Sequence, residues 1–400
     1  MFQTHGIPTV KNEEWKYTSL EPLEKNIFEL VKDNKLADRS ALFEYCNPQE
    51  INIVFVNGIF SADLSNLKNI PSGISYCPLQ EAVAKGLPKI RESLTKYDPS
   101  QKTPFAALNE ALNSDGLYIR ADQNTACKEL IHIVHVTSAS RRNSASMPRT
   151  LMVLEKSSEA TVLESHLSFD DKAVYFANAL TDIFLDENAT LHYCKSQKES
   201  QNAFHIGQTR VWQERNSNFD GFSFMAGGAL TRNDLDVVIN GEGASANLNA
   251  LYNMSTTQHV DNHTSVDHRV PNGTSNQLYK GILNQAARGV FNGKIFVRPV
   301  AQKTNSYQLN KNLLLGKDCR VDTKPQLEIF ADDVKCTHGA TIGQLDEDQM
   351  FYLQTRCIPS KIARRMLAQG FVDDLFSKIK NESIHHKLDK LVQPSFQALE

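Results

Sequence analysis

INGEGASANLNALYN (Ile239–Asn253), VPNGTSNQLYKG (Val270–Gly281), FNGKIFV (Phe291–Val297) and QLNKNLLLG (Gln308–Gly316) follow one another without a helical pattern between them. Each joins a short apolar or alternating run to a corner rich in Asn and Gly, the punctuation of β-structure. The texture extends back to Leu117 through LYIRA, ELIHIVHVTS (Glu129–Ser138), TLMVLEKSSEATVLESHLS (Thr150–Ser168) and AVYFANALTDIFLDENATLHYCKSQ (Ala173–Gln197), and forward to about Ala331. A sandwich or propeller would need hairpins with tight two-residue turns between matched strands. A parallel β-helix needs short strands, irregular polar corners and amides that stack from coil to coil. Gln308, Asn310, Asn312, Asn247 and Asn249 suit inward or corner positions of that kind, because side-chain amides satisfy one another along a ladder. The pattern therefore favours a parallel β-helix. Its open ends need capping or pairing.

The flanks read as those caps. Leu20, Leu23, Ile27, Leu30 and Val31 recur at helical spacing, so residues 1–45 are expected to be helical, with Pro22 at a break or a start. Trp15 is expected to anchor this arm on the body rather than to touch a ligand. Residues 51–56, INIVFV, read as a strand and Asn57-Gly58 as a turn. Gly73–Pro78 reads as extended, residues 79–95 as helix, and Thr103-Pro104 as the start of a further helix. At the other end, Asp346, Glu347 and Asp348 place negative charge at a helix start. Ser360 reads as the N-cap of a second helix, whose spine is Ala363, Leu367, Phe371, Leu375 and Ile379. The implied organisation is a mostly helical region 1–116, a β-helix 117–335 and a helical region 336–400.

Composition limits the function classes. The 400 residues carry a net charge of −3, which suggests no polyanionic partner such as nucleic acid. No apolar run reaches the roughly 18 residues of a membrane span. The N-terminus lacks the pattern of a secretory signal. Seven scattered cysteines without a CxxC argue against a disulfide framework or a zinc finger, and for free thiols in a reducing cytoplasm. No P-loop and no strand–GxGxxG–helix unit is present, so the common nucleotide motifs are excluded.

Several long segments, in order, resemble the SufB/SufD family of iron–sulfur cluster assembly proteins. They are Glu14-Trp15-Lys16-Tyr17-Thr18, HTSVDHRVPNGTSNQLYKGIL (His263–Leu283), GVFNGKIFVRPVAQKT (Gly289–Thr304), LNKNLLL (Leu309–Leu315) and KPQLEIFADDVKCTHGATIGQLDEDQMFYLQTR (Lys324–Arg356). Within that family the chain is similar to the SufD branch, being short and without the Cys-rich motif of SufB members. The resemblance implies a right-handed parallel β-helix flanked by helical domains. It also implies a cytoplasmic complex with SufB and the ATPase SufC, and a β-helix end that pairs with SufB near Cys336-Thr337-His338-Gly339. SufC would dock on the C-terminal helices, and Met350, Phe351, Ile362, Met366, Leu367, Phe371 and Leu375 are the candidates for that face. Cys357 stands where the family more often has glycine, and no ligand role is assigned to it.

Residues i and i+2 of a strand share a face, so an extended Cys336–His338 segment would present a thiol and an imidazole side by side. Both are good iron ligands, but a cluster usually takes four. The expected metal site is therefore half a site, His338 first and Cys336 second, holding iron or an Fe–S cluster transiently and shared with SufB. The alternative is no cofactor in the isolated chain. An unpaired β-helix end also favours a homodimer when SufB is absent. His259, His263 and His268 fit a strand-and-turn context better than a helical metal motif, with Asp261 and Asp267 placed to bond the rings. The expected role is a non-catalytic scaffold subunit. The competing readings are a β-helix carbohydrate-active enzyme, which would need paired acids or a Ca²⁺ site on one face, and a purely structural solenoid.

Overall fold

The computed structural model describes residues 6–397 except 32, 37, 88–89, 91–102, 114 and 139–142. Its body is a parallel β-solenoid of about 7 turns, with helices toward both chain ends. Two sheets face each other. One runs from Leu117–Ala121 through alternate strands to Arg320–Ile329, the other from Ile51–Val56 to Lys335–Gly343. Successive strands alternate between the sheets, so neighbours within a sheet lie one coil apart. Ser275 and Ser306, for example, are 31 residues apart and share a hydrogen bond.

The corners explain the Asn-rich turns. Asn124, Asn188, Asn216 and Asn272 all have positive φ. Asn tolerates this left-handed region better than most residues, because its short amide bonds locally. Each such residue turns the chain from one sheet toward the other.

Between the sheets runs an apolar core that includes Ile133, Met152, Val162, Ile183, Val211, Leu248, Tyr252, Val260 and Phe291. Polar side chains stack within the same interior. The Asn312 amide donates to Asn310 Oδ1 at 2.7 Å, and Asn310 donates to the Tyr252 hydroxyl at 3.0 Å. Gln308 is fully buried beside Gln277. These three amides are the inward ladder expected from sequence. Asn247 and Asn249 are not part of it. They alternate with the buried Ala246, Leu248 and Ala250 and face outward, where Asn247 bonds Asp220 at 2.7 Å.

The outer faces are clasped differently. The arm expected to be helical over 1–45 is mostly irregular. It holds a 3₁₀ turn at Glu13–Trp15, short helices at Glu21–Glu24 and Ser40–Tyr45, and a two-residue strand at Glu29–Leu30. Its apolar residues were spaced to meet the body rather than to line a helix. Trp15, Leu20 and Leu23 pack with Phe105 of helix Pro104–Leu112 and with Phe176 and Phe204 on the first sheet. Strand Ile51–Val56 belongs to the second sheet, beside Ala126–Thr137. The helix expected over 79–95 is described at Leu79–Lys85, and most of the rest lies outside the described residues.

At the C-terminus, helices Glu347–Thr355, Ser360–Phe376 and Glu382–Gln397 follow the last strand. Asp346 caps the first by accepting from Gln349 N at 3.0 Å. Ser360 is the first helical residue rather than a cap; Pro359 precedes it without a capping side chain. The buried stripe of that helix is Ala363, Ala368, Val372, Leu375 and Phe376, offset from the Ala363-Leu367-Phe371 spine.

Candidate functional site

The two sheets end in strands that each have one partner. Arg320–Ile329 pairs with Arg288–Val297, and Lys335–Gly343 with Asn305–Leu314. The second edge of each is open among the described residues. An open edge presents unpaired backbone donors and acceptors, a template for a further strand.

Cys336 and His338 lie on the open strand Lys335–Gly343. Opposite them in register stand Ser306 and Gln308, both buried inside the solenoid. The two side chains therefore lie on the same inward face, at its unroofed last coil. Cys336 is half-buried against Ile295, Val297 and Ala301, and this burial raises its thiol pKa. His338 is exposed. Two donors are thus brought to one face, as the i, i+2 spacing predicts. Ile329, Phe330 and Ile342 are exposed around them, so the rim of this end is apolar. These three were not picked out from sequence, because each reads as an ordinary strand residue until the strand is known to be last.

The seven residues expected to face an ATPase divide into three groups. Phe351 is 68% exposed, Met366 46% and Ile362 37%, so they are free to meet another molecule. Met350 and Leu367 are half-buried. Leu375 is fully buried and Phe371 partly so, in a cluster with Phe222, Leu251, Ile282 and Leu313 of the second sheet. Those two side chains hold the helix on its own body. Between that sheet and the helices lies a groove of about 810 Å³, lined by Asn249, Tyr307, Lys311, Lys378 and Ile384 among others. Cys357, exposed, has φ of 60°, the left-handed conformation in which glycine is the easiest occupant.

The Glu-Trp-Lys-Tyr-Thr segment is the heart of the arm's clasp. Arg232 lies 3.9 Å over the Trp15 ring, donates to the Glu14 carbonyl at 2.6 Å and pairs with Asp261 at 2.9 Å. Thr18 donates to Asp261 Oδ2 at 2.6 Å and lies 2.9 Å from His259 Nε2. His263 lies 3.0 Å from Asp261 and 3.4 Å from Glu14, and Lys294 also pairs with Glu14. His268 points the other way, to Ser275 at 2.9 Å. Two of the three histidines thus fasten the arm, and the third fills the interior. Asp261 bonds rings as expected. Asp267 instead takes Arg269 and Arg298, each at 2.8 Å.

Comparison with known proteins accounts for this layout. Residues 135–371 match the family model for the SUF system FeS cluster assembly, SufBD core domain, and residues 1–133 match the SufBD protein N-terminal region. An iron-sulfur cluster assembly SufBD family protein of Synechocystis is 32% identical, covering 96% of this chain and 87% of its own. The iron-sulfur cluster assembly protein SufD of Escherichia coli is also 32% identical, over 96% of this chain and 88% of its own. A chloroplastic protein of Arabidopsis thaliana is 28% identical over 94% and 80%. With both of its regions matched and with SufD among its relatives, the chain belongs to the SufBD family of iron–sulfur cluster assembly proteins.

Proposed function

We propose that this chain is the non-catalytic SufD-type subunit of a SufB–SufC–SufD assembly, and that its open coil is half of a shared cluster site. The observation that carries the proposal is the placement of Cys336 and His338 on the inward face of a last strand whose second edge is open among the described residues. A second β-solenoid meeting this edge would continue the ladder and bury the rim of Ile329, Phe330 and Ile342. The same event would bring the partner's ligands to His338 and Cys336. Iron or an Fe–S cluster is then cargo, held by four donors of which this chain supplies two. Without SufB, a second copy of this chain would suit the same edge.

The exposed Phe351, Ile362 and Met366 support a docking face for SufC on the C-terminal helices. ATP-driven movement of such a partner would reach the edge through the helix that follows the last strand. The carbohydrate-enzyme reading finds less support, because the acids on the outer faces are largely engaged by Arg, Lys and His.

The deciding experiment is anaerobic reconstitution of the intact complex with His338→Ala in this subunit. Cluster formation, followed by visible absorption, is expected to fall at least tenfold while the subunits still co-purify. Cluster formation at the normal rate would remove His338 from the site.

A further inference from the structure

Far from the open coil, the interior of the solenoid holds a second group of donors. His135 on strand Ala126–Thr137 and Glu164 and His166 on Glu159–Ser168 place their ligand atoms within 4.8 Å of one another. All three side chains are buried, with His166 2% and Glu164 1% exposed. They come together because His135 pairs in register with His166, and Ile133 with Glu164. Inward residues of adjacent coils stack at the strand spacing of roughly 4.8 Å.

Three features distinguish this cluster from ordinary interior polarity. First, Glu164 is divided by function. Its Oε2 accepts from the Tyr193 hydroxyl at 2.6 Å and from Thr181 at 3.0 Å. Its Oε1 faces His135 Nε2 at 3.1 Å and Thr150 at 3.0 Å. Hydroxyl donors therefore orient both oxygens, and Oε1 alone also faces the imidazole, the arrangement that outer hydrogen bonds give to a ligating carboxylate. Second, His166 Nε2 has no hydrogen-bond partner despite its burial. A ring nitrogen left this way is costly unless something accepts or replaces the missing bond. Its ring stacks on His135, with centroids 4.8 Å apart and planes at 17°. Third, the inward charges do not balance. The carboxylates of Glu164 and Glu199 share the interior with one ammonium, Lys195, which bonds Asn233 Oδ1 at 2.9 Å. His205 stands 2.8 Å from Glu199 and edge-on to His166 at 5.0 Å.

We propose that His135, Glu164 and His166 form a divalent transition-metal site inside the solenoid, separate from the open edge. Two imidazoles and one carboxylate suit zinc or iron(II), and the fourth position would be filled by water. Ligand atoms at about 2.1 Å from such an ion stand roughly 3.4 Å apart in a tetrahedron. The His135–Glu164 pair stands near this spacing, so binding asks for inward movement of His166 and for release to solvent of the proton held between His135 Nε2 and Glu164 Oε1. The unpartnered His166 Nε2 is the nitrogen free to coordinate. All three ligands are buried, so the ion would enter as the coils close and exchange slowly afterwards.

The test uses the full chain carrying Cys336→Ala and His338→Ala, which removes the edge donors. It is expressed in medium supplemented with cobalt(II) or zinc, desalted and assayed for metal by mass spectrometry. About one ion per chain is expected, with the visible bands of tetrahedral cobalt, and His166→Gln should lower the retained metal at least tenfold. Retention unchanged in His166→Gln, or a metal-free parent chain, would overturn the proposal. Because His166→Gln could misfold, crystals of the cobalt-grown parent are examined for anomalous scattering. A peak among His135, Glu164 and His166 supports the site; a peak elsewhere, or none, refutes it. This outcome does not depend on the shared-edge reading, since the edge donors are absent throughout.

Discussion

The N-terminal arm and the C-terminal helices both clasp the outside of the same solenoid, and they do so by opposite physics. The arm adds to its apolar contacts a charged network: Arg232 between Trp15, Asp261 and Asp234, with Thr18, Glu14, His263 and Lys294 around it. The helices are held chiefly by apolar contact, Leu375, Val372 and Phe376 on Phe222, Leu251 and Ile282, with two ion pairs to the body, Lys280 to Asp374 and Lys387 to Glu50. A buried charge network is strongly directional and fails as a unit when one member is removed. An apolar seam loses stability in proportion to what is cut away and is nearly indifferent to pH. The arm is thus a registered fastening, whereas the helices are an adhesive one.

The sharpest way to break this contrast is Arg232→Met. It leaves Asp261 and Asp234 buried without their cation, and a loss of about 3–5 kcal/mol is expected. Denaturant unfolding of the purified chain measures it; a loss under about 1 kcal/mol would mean that the network is ornamental. Leu375→Ala comes next. It removes a fully buried side chain from the helix seam, so a loss of about 3 kcal/mol is expected. Amide exchange should rise over 363–376 and remain unchanged over 13–18. Faster exchange in both segments would show that the clasps are coupled.

The smallest effect concerns pH. The hydrogen bond with His263, with Lys294 adding to it, outweighs burial and lowers Glu14 to about 2. Its contribution is present above the ordinary value of 4.5 and lost as pH falls toward 2. For His263, burial and Arg232 push downward, but Asp261 and Glu14 prevail and raise it above 6.5. That contribution is present below 6.5 and lost as pH rises through the raised value. The arm should therefore be held best between pH 4.5 and 6.5, with about 1 kcal/mol lost on either side because Glu14 is partly screened by water. Exchange over 13–18, corrected for intrinsic rate, is expected to show this window while 363–376 stays flat. A flat profile in the arm would remove the titrating pair from its fastening.

The solenoid was legible because its signal is local: short β runs and Asn corners repeat within a few residues of each other. The same locality misled the reading of the arm. Leu20 and Leu23 have helical spacing, yet they and Trp15 meet Phe105, Phe176 and Phe204, brought together only by the fold. The facing of Asn247 and Asn249 depended on a register of one residue, which sequence does not fix. Cys336 and His338 were visible because they are two apart on one strand. His135 and Glu164 were not, since they are 29 residues apart and meet through one turn of the coil. A search for donors repeating at the coil length would have paired them. The partial burial of Phe371 and the complete burial of Leu375 were likewise beyond a helix stripe, which shows that a face is apolar but not what covers it.

Lys280 joins Asp374 of the long C-terminal helix to strand Thr274–Leu283, which is two coils from the open edge. At roughly 4.8 Å per coil, the anchor stands only about 10 Å from the last strand. In leverage terms, the helix has its fulcrum beside the load. A small rotation imposed on it has little solenoid in which to dissipate before it tilts the terminal rung.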